Sequence, residues 1–205
     1  MSKTHTPAPQ LRGPSDHDVR DQIVEAATDY FGRYGYGKTT VSELAKAIGF
    51  SKAYIYKFFD SKQAIGEVIC SNRLSAIMAA VDAAVADVPA AAERLRRMFK
   101  ALAEAGSHLF FQERKLYDLA ATSASESWPA VGAYEAHLKA LVLQIVRDGR
   151  EAGEFERKTP LDEAVNAIYL VMRPYVNPLL LQHNLDNAAD ATAQLSSLIL
   201  RSLAP

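Results

Sequence analysis

Cysteine is almost missing from this chain of 205 residues, with Cys70 the only one. No intramolecular disulfide can form, and a reducing compartment is the natural setting for such a chain. Long apolar runs are missing too. Residues 1–14 hold no apolar core of a signal peptide, and no later stretch reaches about 18 uninterrupted apolar residues. The expectation is a cytoplasmic protein with no membrane partner. Metal-ligand spacing is also lacking, because none of His5, His17, His108, His137 and His183 lies four residues from another histidine or three from the cysteine. No G-x-S-x-G, Walker A loop or dinucleotide fingerprint occurs. The adjacent acids Asp162 and Glu163 stand at a helix start, where they complement the helix dipole. Neither metal nor cofactor nor enzymatic activity is therefore expected, and no stretch reads as a strand or an internal repeat.

What is present is helical. Residues 39–62, TTVSELAKAIGFSKAYIYKFFDSK, hold two short helices and a tight turn. Thr40, Val41, Ser42 and Glu43 have the form of a capping box, so a helix starts at Val41. Val41, Leu44, Ala45 and Ile48 make one apolar stripe at the helical period, and Gly49 stops the helix, since glycine enters the left-handed C-cap without a Cβ clash. Ser51 caps a second helix over residues 52–59. Two helices this close form a helix-turn-helix. On the second, Ile55, Phe58 and Phe59 share one side, while Ala53 and Lys57 point the opposite way, flanked by Tyr54 and Tyr56. That outer face suits a major groove: small at one position, cationic or hydroxyl-bearing elsewhere. Residues 30–62 carry Arg33, Lys38, Lys46, Lys52, Lys57 and Lys62 against Glu43 and Asp60, a local charge of +4 in a chain of net charge −1. The expected DNA contacts are Lys52, Ala53, Tyr54, Tyr56 and Lys57 on the second helix, with Thr39, Thr40, Lys52 and Lys62 on the phosphate backbone. Without this surface, the same helix pair would read as a structural element of a bundle.

Residues 23–69, IVEAATDYFGRYGYGKTTVSELAKAIGFSKAYIYKFFDSKQAIGEVI, resemble the DNA-binding domain of the TetR family of transcriptional regulators. The resemblance joins the helix before the motif, the T-T-V-x-E-L-A opening, the G-x-S-K turn, the I-Y-K-F-F recognition helix and the D-S-K entry to the next helix. It implies a homodimeric, all-helical regulator whose carboxy-terminal domain dimerises and binds a small molecule. Tyr54 stands where the family more often has a smaller residue, and Lys57 where histidine is frequent.

The remaining chain fits that frame. Residues 1–14, with Pro7, Pro9 and Pro14, read as a disordered arm in which Lys3 and Arg12 are available to a minor groove. Residues 15–34 form a first helix, capped by Ser15 or Asp16, with Ile23, Ala27, Tyr30 and Phe31 on its buried stripe. A long helix over residues 61–86 joins the halves. Further helices are expected over residues 89–106 with Pro89 at the first position, 107–124, 129–151, 161–175 and 185–203, with breaks at Pro174 and Pro178 and a cap at Thr159. The expected fold class is all-α, about nine helices: a three-helix DNA-binding domain over residues 15–62, then a six-helix ligand-binding and dimerisation domain over residues 63–205.

Phe110, Phe111, Tyr117, Trp128, Tyr134, His137, Tyr169 and Met172 supply bulky groups for a ligand, although each taken singly also reads as core. Arg173 lies in an apolar context, IYLVMRPYV, where a charge needs a partner: a carboxylate across a dimer seam or an anionic ligand. The expected effector is a mostly apolar small molecule with a polar or anionic group, oriented by His137 and Arg173. The functional expectation is a sequence-specific transcriptional regulator, a repressor that binds a pseudo-palindromic duplex operator as a homodimer and is released by a small molecule. The alternative is a helical small-molecule-binding protein or enzyme that does not act on transcription.

Overall fold

The computed structural model describes residues 16–205; the expected arm, with Lys3 and Arg12, and the Ser15 cap lie outside the described residues. Ten α-helices follow one another: α1 (Asp16–Tyr34), α2 (Val41–Ile48), α3 (Lys52–Ile55), α4 (Lys62–Ala86), α5 (Ala91–Gln112), α6 (Arg114–Ser125), α7 (Pro129–Glu151), α8 (Leu161–Val176), α9 (Pro178–Leu181) and α10 (Ala188–Ser202). A 3-10 turn, Leu185–Asn187, precedes the last, and no strand occurs among the described residues.

Two apolar cores form. The first joins Ile23, Ala27 and Phe31 of α1, Leu44 of α2 and Ile55 of α3 to Ile65 and Ile69 of α4. It also takes in Leu116 and Leu119 of α6, and Trp128 just ahead of α7. The second gathers Met78, Val81 and Val85 of α4 with the inner stripes of α5, α7, α8 and α10. Helix α4 is therefore the shared strut, with its first turns in one core and its last in the other. Its length and mean hydropathy of 1.4 would also suit a bilayer span. Here that apolar character goes into burying Ile65, Ile69, Val81 and Val85 against neighbouring helices.

Several helix boundaries differ from the sequence expectation, each for a reason of packing. The break expected near Gly106 falls at Glu113 instead, so α5 runs through the glycine. A Cβ at Gly106 would stand 2.5 Å from the Leu181 side chain, so the residue is small to admit a neighbour and does not end the helix. Pro89 lies outside α5, whose N-cap is Ala90. The carboxylate of Glu154, from the turn after α7, accepts from the backbone N–H of Ala91 and Ala92 at 3.0 and 3.1 Å. That long-range cap fixes where α5 starts. Pro160 occupies the N-cap of α8, one residue later than expected. Pro174 does not end α8, which continues to Val176. A proline so close to the C-terminus removes a single bond, while Asn177 N–H still reaches Arg173 O at 3.0 Å. Asn177 then caps the additional short helix α9, accepting from Leu179 N–H.

Gly149 lies inside α7 and is buried. A Cβ there would meet the Phe155 ring at 2.2 Å and Ala91 Cβ at 2.9 Å. The turn belongs to Gly153, at φ +76. Gly149→Ala is expected to destabilise the fold by about 1–3 kcal/mol, the cost of overpacking a filled core, read from the urea midpoint at unchanged m-value. Gly153→Ala, strained but sterically open, is the comparison.

Candidate nucleic-acid interface and interdomain cavity

The helix-turn-helix forms as its capping residues dictate. Thr40 Oγ1 accepts from Glu43 N–H at 3.2 Å, Glu43 Oε2 accepts from Thr40 N–H at 2.8 Å, and Gly49 takes the left-handed C-cap at φ 75. The Thr40 N–H, with the Thr40 hydroxyl donating to the same carboxylate oxygen at 2.8 Å, holds the Glu43 carboxyl below its ordinary range. A depressed folded value means the box stabilises α2 above the ordinary carboxylate range and loses that contribution as pH falls through the lowered value. Ser51 Oγ accepts from Tyr54 N–H at 3.0 Å and starts α3. The α-helix is shorter than expected. Lys57 N–H and Phe58 N–H bond three residues back, to Tyr54 O and Ile55 O, so residues 56–58 tighten into turns. Arg20 of α1 fastens this end, its guanidinium donating to Phe58 O at 2.7 Å and lying 4.2 Å from the Phe59 ring centroid.

On this frame Lys52, Ala53, Tyr56 and Lys57 are exposed together, while Ile55 and Phe59 are buried behind them. Lys38 and Lys46 are exposed as well. Tyr54 is less free than its sequence position implies, because its ring is packed edge-on between Phe50 and Phe58 at 5.0 and 5.4 Å. Two expected phosphate contacts turn inward. Thr39 is buried and donates its hydroxyl to Gly35 O. The Lys62 ammonium donates to Tyr36 O and Thr39 O at 2.9 and 3.0 Å, above the Tyr36 ring. Lys62 thus ties α4 to the turn that enters α2, a long-range role without a local sequence signal.

The expected ligand residues separate into groups. Tyr117, Tyr134 and Tyr169 line one cavity of about 50 Å³ between the two cores, walled by α4 to α9. Burial pushes the Tyr117 and Tyr169 hydroxyls up to about 12 and raises that of Tyr134, so all three are neutral donors near neutral pH. Tyr117 donates to Pro178 O, and the nearby Glu135 carboxylate adds to burial in raising Tyr169. Trp128 goes elsewhere: it is 2% exposed in the first core, edge-on to Tyr36 at 5.7 Å, with its indole N–H on Glu126. Met172 is buried in the second core. Phe110 stacks edge-on with Tyr117 and Phe111 outside the lining, and Phe111 is exposed. His137 faces outward, 3.1 Å from Asp82. Arg173 is exposed on the outer side of α8 with Leu170, since helical periodicity turns the apolar half of IYLVMRPYV inward and leaves the arginine outside. Glu135, Leu181, Asn177 and Leu74 are among the other lining residues, and no local pattern marked them, because the cavity exists only where several helices meet.

This arrangement, a capped helix-turn-helix on one core and a helical bundle enclosing a cavity on the other, agrees with two family profiles. That of bacterial regulatory proteins of the tetR family matches residues 23–68, and that of the tetracyclin repressor-like C-terminal domain matches residues 91–195. The chain belongs to the TetR family. Solved TetR-like structures share its fold along nearly the whole length. The fatty acid degradation regulator FadR of Bacillus halodurans superposes with a TM-score of 0.66 at 18% identity, over 93% of this chain and 97% of that one. PfmR of Thermus thermophilus gives 0.60 at 27% identity, over 89% and 99%. Thermus thermophilus FadR in complex with lauroyl-CoA gives 0.65 at 22%, over 89% and 94%. Among curated relatives, the negative transcriptional regulator of the biofilm operon icaADBC, IcaR, of Staphylococcus aureus is 39% identical over 49 residues, 24% of this chain. That match spans about a quarter of the relative, 26% of its length.

Proposed function

We propose that this TetR-family protein is a cytoplasmic, homodimeric transcriptional repressor that binds a pseudo-palindromic operator and leaves it when a small molecule occupies the interdomain cavity. The observation that carries the reading is the exposed set Lys52, Ala53, Tyr56 and Lys57 on α3 and the turn that follows it, held by the Ser51 cap and a buried back. Ala53 lets the backbone approach base edges, Tyr56 offers a hydroxyl, and the lysines neutralise phosphate. Lys38, Lys46 and the exposed Thr40 extend the backbone contacts on either side. IcaR, similar over this same domain, is named as a negative regulator, which supports repression as the sign.

The cavity has a physical link to that surface through α6. One side of this helix puts Leu116 and Leu119 into the first core, and the other presents Tyr117 and Ala120 to the cavity. A ligand that moves Tyr117 therefore shifts residues on which the helix-turn-helix packs, and α4 runs between the same two places. Two recognition segments must meet grooves one helical turn or a multiple apart, so a change in their separation lowers affinity. A tenfold loss needs only about 1.4 kcal/mol of coupling.

The test is a gel-shift titration with the DNA upstream of the protein's own gene, repeated across salt concentrations. Wild type should bind with a steep salt dependence. Lys57→Ala should flatten the slope of log K against log salt by about 0.9 per subunit, or about 2 for the dimer. An unchanged slope removes Lys57 from the interface, and no shifted complex at all favours a ligand-binding protein without a role in transcription.

A further inference from the structure

The lining of the interdomain cavity carries a definite charge preference. Its walls are mostly apolar, from Leu74 and Ile77 of α4, Leu102 and Leu109 of α5 and Leu181 of α9. Polar atoms come chiefly from the tyrosines, Ser123 and Asn177, and much of that capacity is already used. Tyr117 donates to Pro178 O, Ser123 donates to Ala120 O, and Asn177 Oδ1 accepts from Leu179 N–H. The lining includes a single charged residue, Glu135, and no lysine, arginine or histidine. Glu135 takes part in none of the ion pairs found among the described residues. The Tyr169 hydroxyl is near enough to feel this carboxylate, which accepts at up to about four positions.

The neighbouring cations stay outside. Lys139 lies 4.4 Å from the Tyr169 ring centroid and Arg114 5.6 Å from that of Tyr117, and Arg173 acts on Tyr169 from outside, but none of these, nor His137, belongs to the lining. An anion taken into this space would lose its water, face the Glu135 carboxylate and find no cationic side chain in the lining itself. A cation would meet a carboxylate, the ring of Tyr134 and the side of the Tyr169 ring that Lys139 does not cover, and such π-faces attract positive charge.

Resting on the reading of this cavity as an effector site, we infer that its ligand is a compact lipophilic cation, a substituted amine or quaternary ammonium, held by Glu135 with Tyr134 and Tyr169. The empty space, about 50 Å³, is small against the roughly 300 Å³ or more of an occupied drug-sized pocket, so the ligand must enlarge it. The side to give way is α9. Leu181 rests against Gly106, and Tyr117 holds Pro178 O. Displacing α9 frees both, and the Tyr117 contact is the one that passes the change to α6. The acyl-CoA in the Thermus thermophilus FadR complex belongs to a chain 22% identical to this one, and the charge of the present cavity opposes such a ligand.

The test uses the full chain and two probes of similar size and opposite charge, benzyltrimethylammonium and 3-phenylpropionate, titrated by calorimetry. The cation should bind at least tenfold more tightly. Glu135→Gln should weaken the cation about tenfold and bring the two probes together, while Glu104→Gln, the same charge change on the exposed side of α5, should leave the preference intact. A tighter-binding carboxylate, a cation affinity indifferent to Glu135→Gln, or no binding of either probe to folded protein overturns the inference. A gel shift with each probe separates it from the regulatory reading. Glu135-dependent cation binding that leaves the operator complex untouched upholds the ligand class and removes the effector role.

Discussion

Trp128→Ala should lower the stability of the protein by about 3–5 kcal/mol, the usual cost of deleting a large buried aromatic side chain. For a chain of this length that is roughly 6–20 °C in Tm. The magnitude follows from where the indole sits. It is 2% exposed, edge-on to Tyr36, and within 3.1–3.2 Å of the place a Cβ on Gly66 would occupy. Few positions are so central to the junction, since Tyr36 belongs to the turn before α2, Gly66 to α4 and Trp128 to the start of α7. The substitution therefore has a second expected effect, a loosened connection between the bundle and the helix-turn-helix. Operator affinity should become less responsive to an effector even where the variant remains folded. Urea denaturation and effector-dependent gel shifts measure the two effects separately. A variant with wild-type stability would mean the cavity left by the indole collapses at no cost, which the packed elements around it oppose.

Charged residues at Leu170 and Leu198 should convert the protein to a monomer and reduce operator affinity about 10²–10⁴-fold, the range lost when two linked binding events become one. Leu170 on α8 is 52% exposed and Leu198 on α10 is 54% exposed, on helices that pack against each other, with Val171 exposed nearby. An exposed apolar surface on two adjacent long helices is what a four-helix contact between two copies buries. Leu170→Glu with Leu198→Glu puts two like charges per subunit into that contact, where desolvation and repulsion both oppose association. Sedimentation at micromolar concentration reads the oligomeric state directly. A dimer that persists in the double variant places the interface elsewhere. Elsewhere on α10, Leu195 and Ile199 pack on their own core, leaving Leu198 outward.

The features legible in the sequence were those whose cause is local. The capping box at Thr40 and Glu43, the left-handed stop at Gly49 and the Ser51 cap each depend on atoms three or four residues apart, so α2 begins and ends where its sequence requires. Proline at the start of α7 and the period of its apolar residues placed that helix over residues 129–151 for the same reason. Glycine was ambiguous. Gly49 answers a backbone need that belongs to it alone, whereas Gly106 and Gly149 answer to Leu181 and Phe155, residues far along the chain or across a turn. Their smallness has a meaning only once the neighbour is in place.

The residue types that make a DNA-facing helix and an all-helical bundle were thus set by the sequence itself, because periodicity and capping act within a turn or two. Tertiary structure alone decided which side chains remained available for binding. It turned Thr39 and Lys62 inward to hold the entry to α2, packed Tyr54 between two phenylalanines and moved Trp128 into the junction of the cores. It also left Arg173 and His137 outside the cavity and put Glu135 into it. Charge and aromaticity can be counted in a sequence, but the sign of a cavity depends on which of those groups the crossing of distant helices points toward one another.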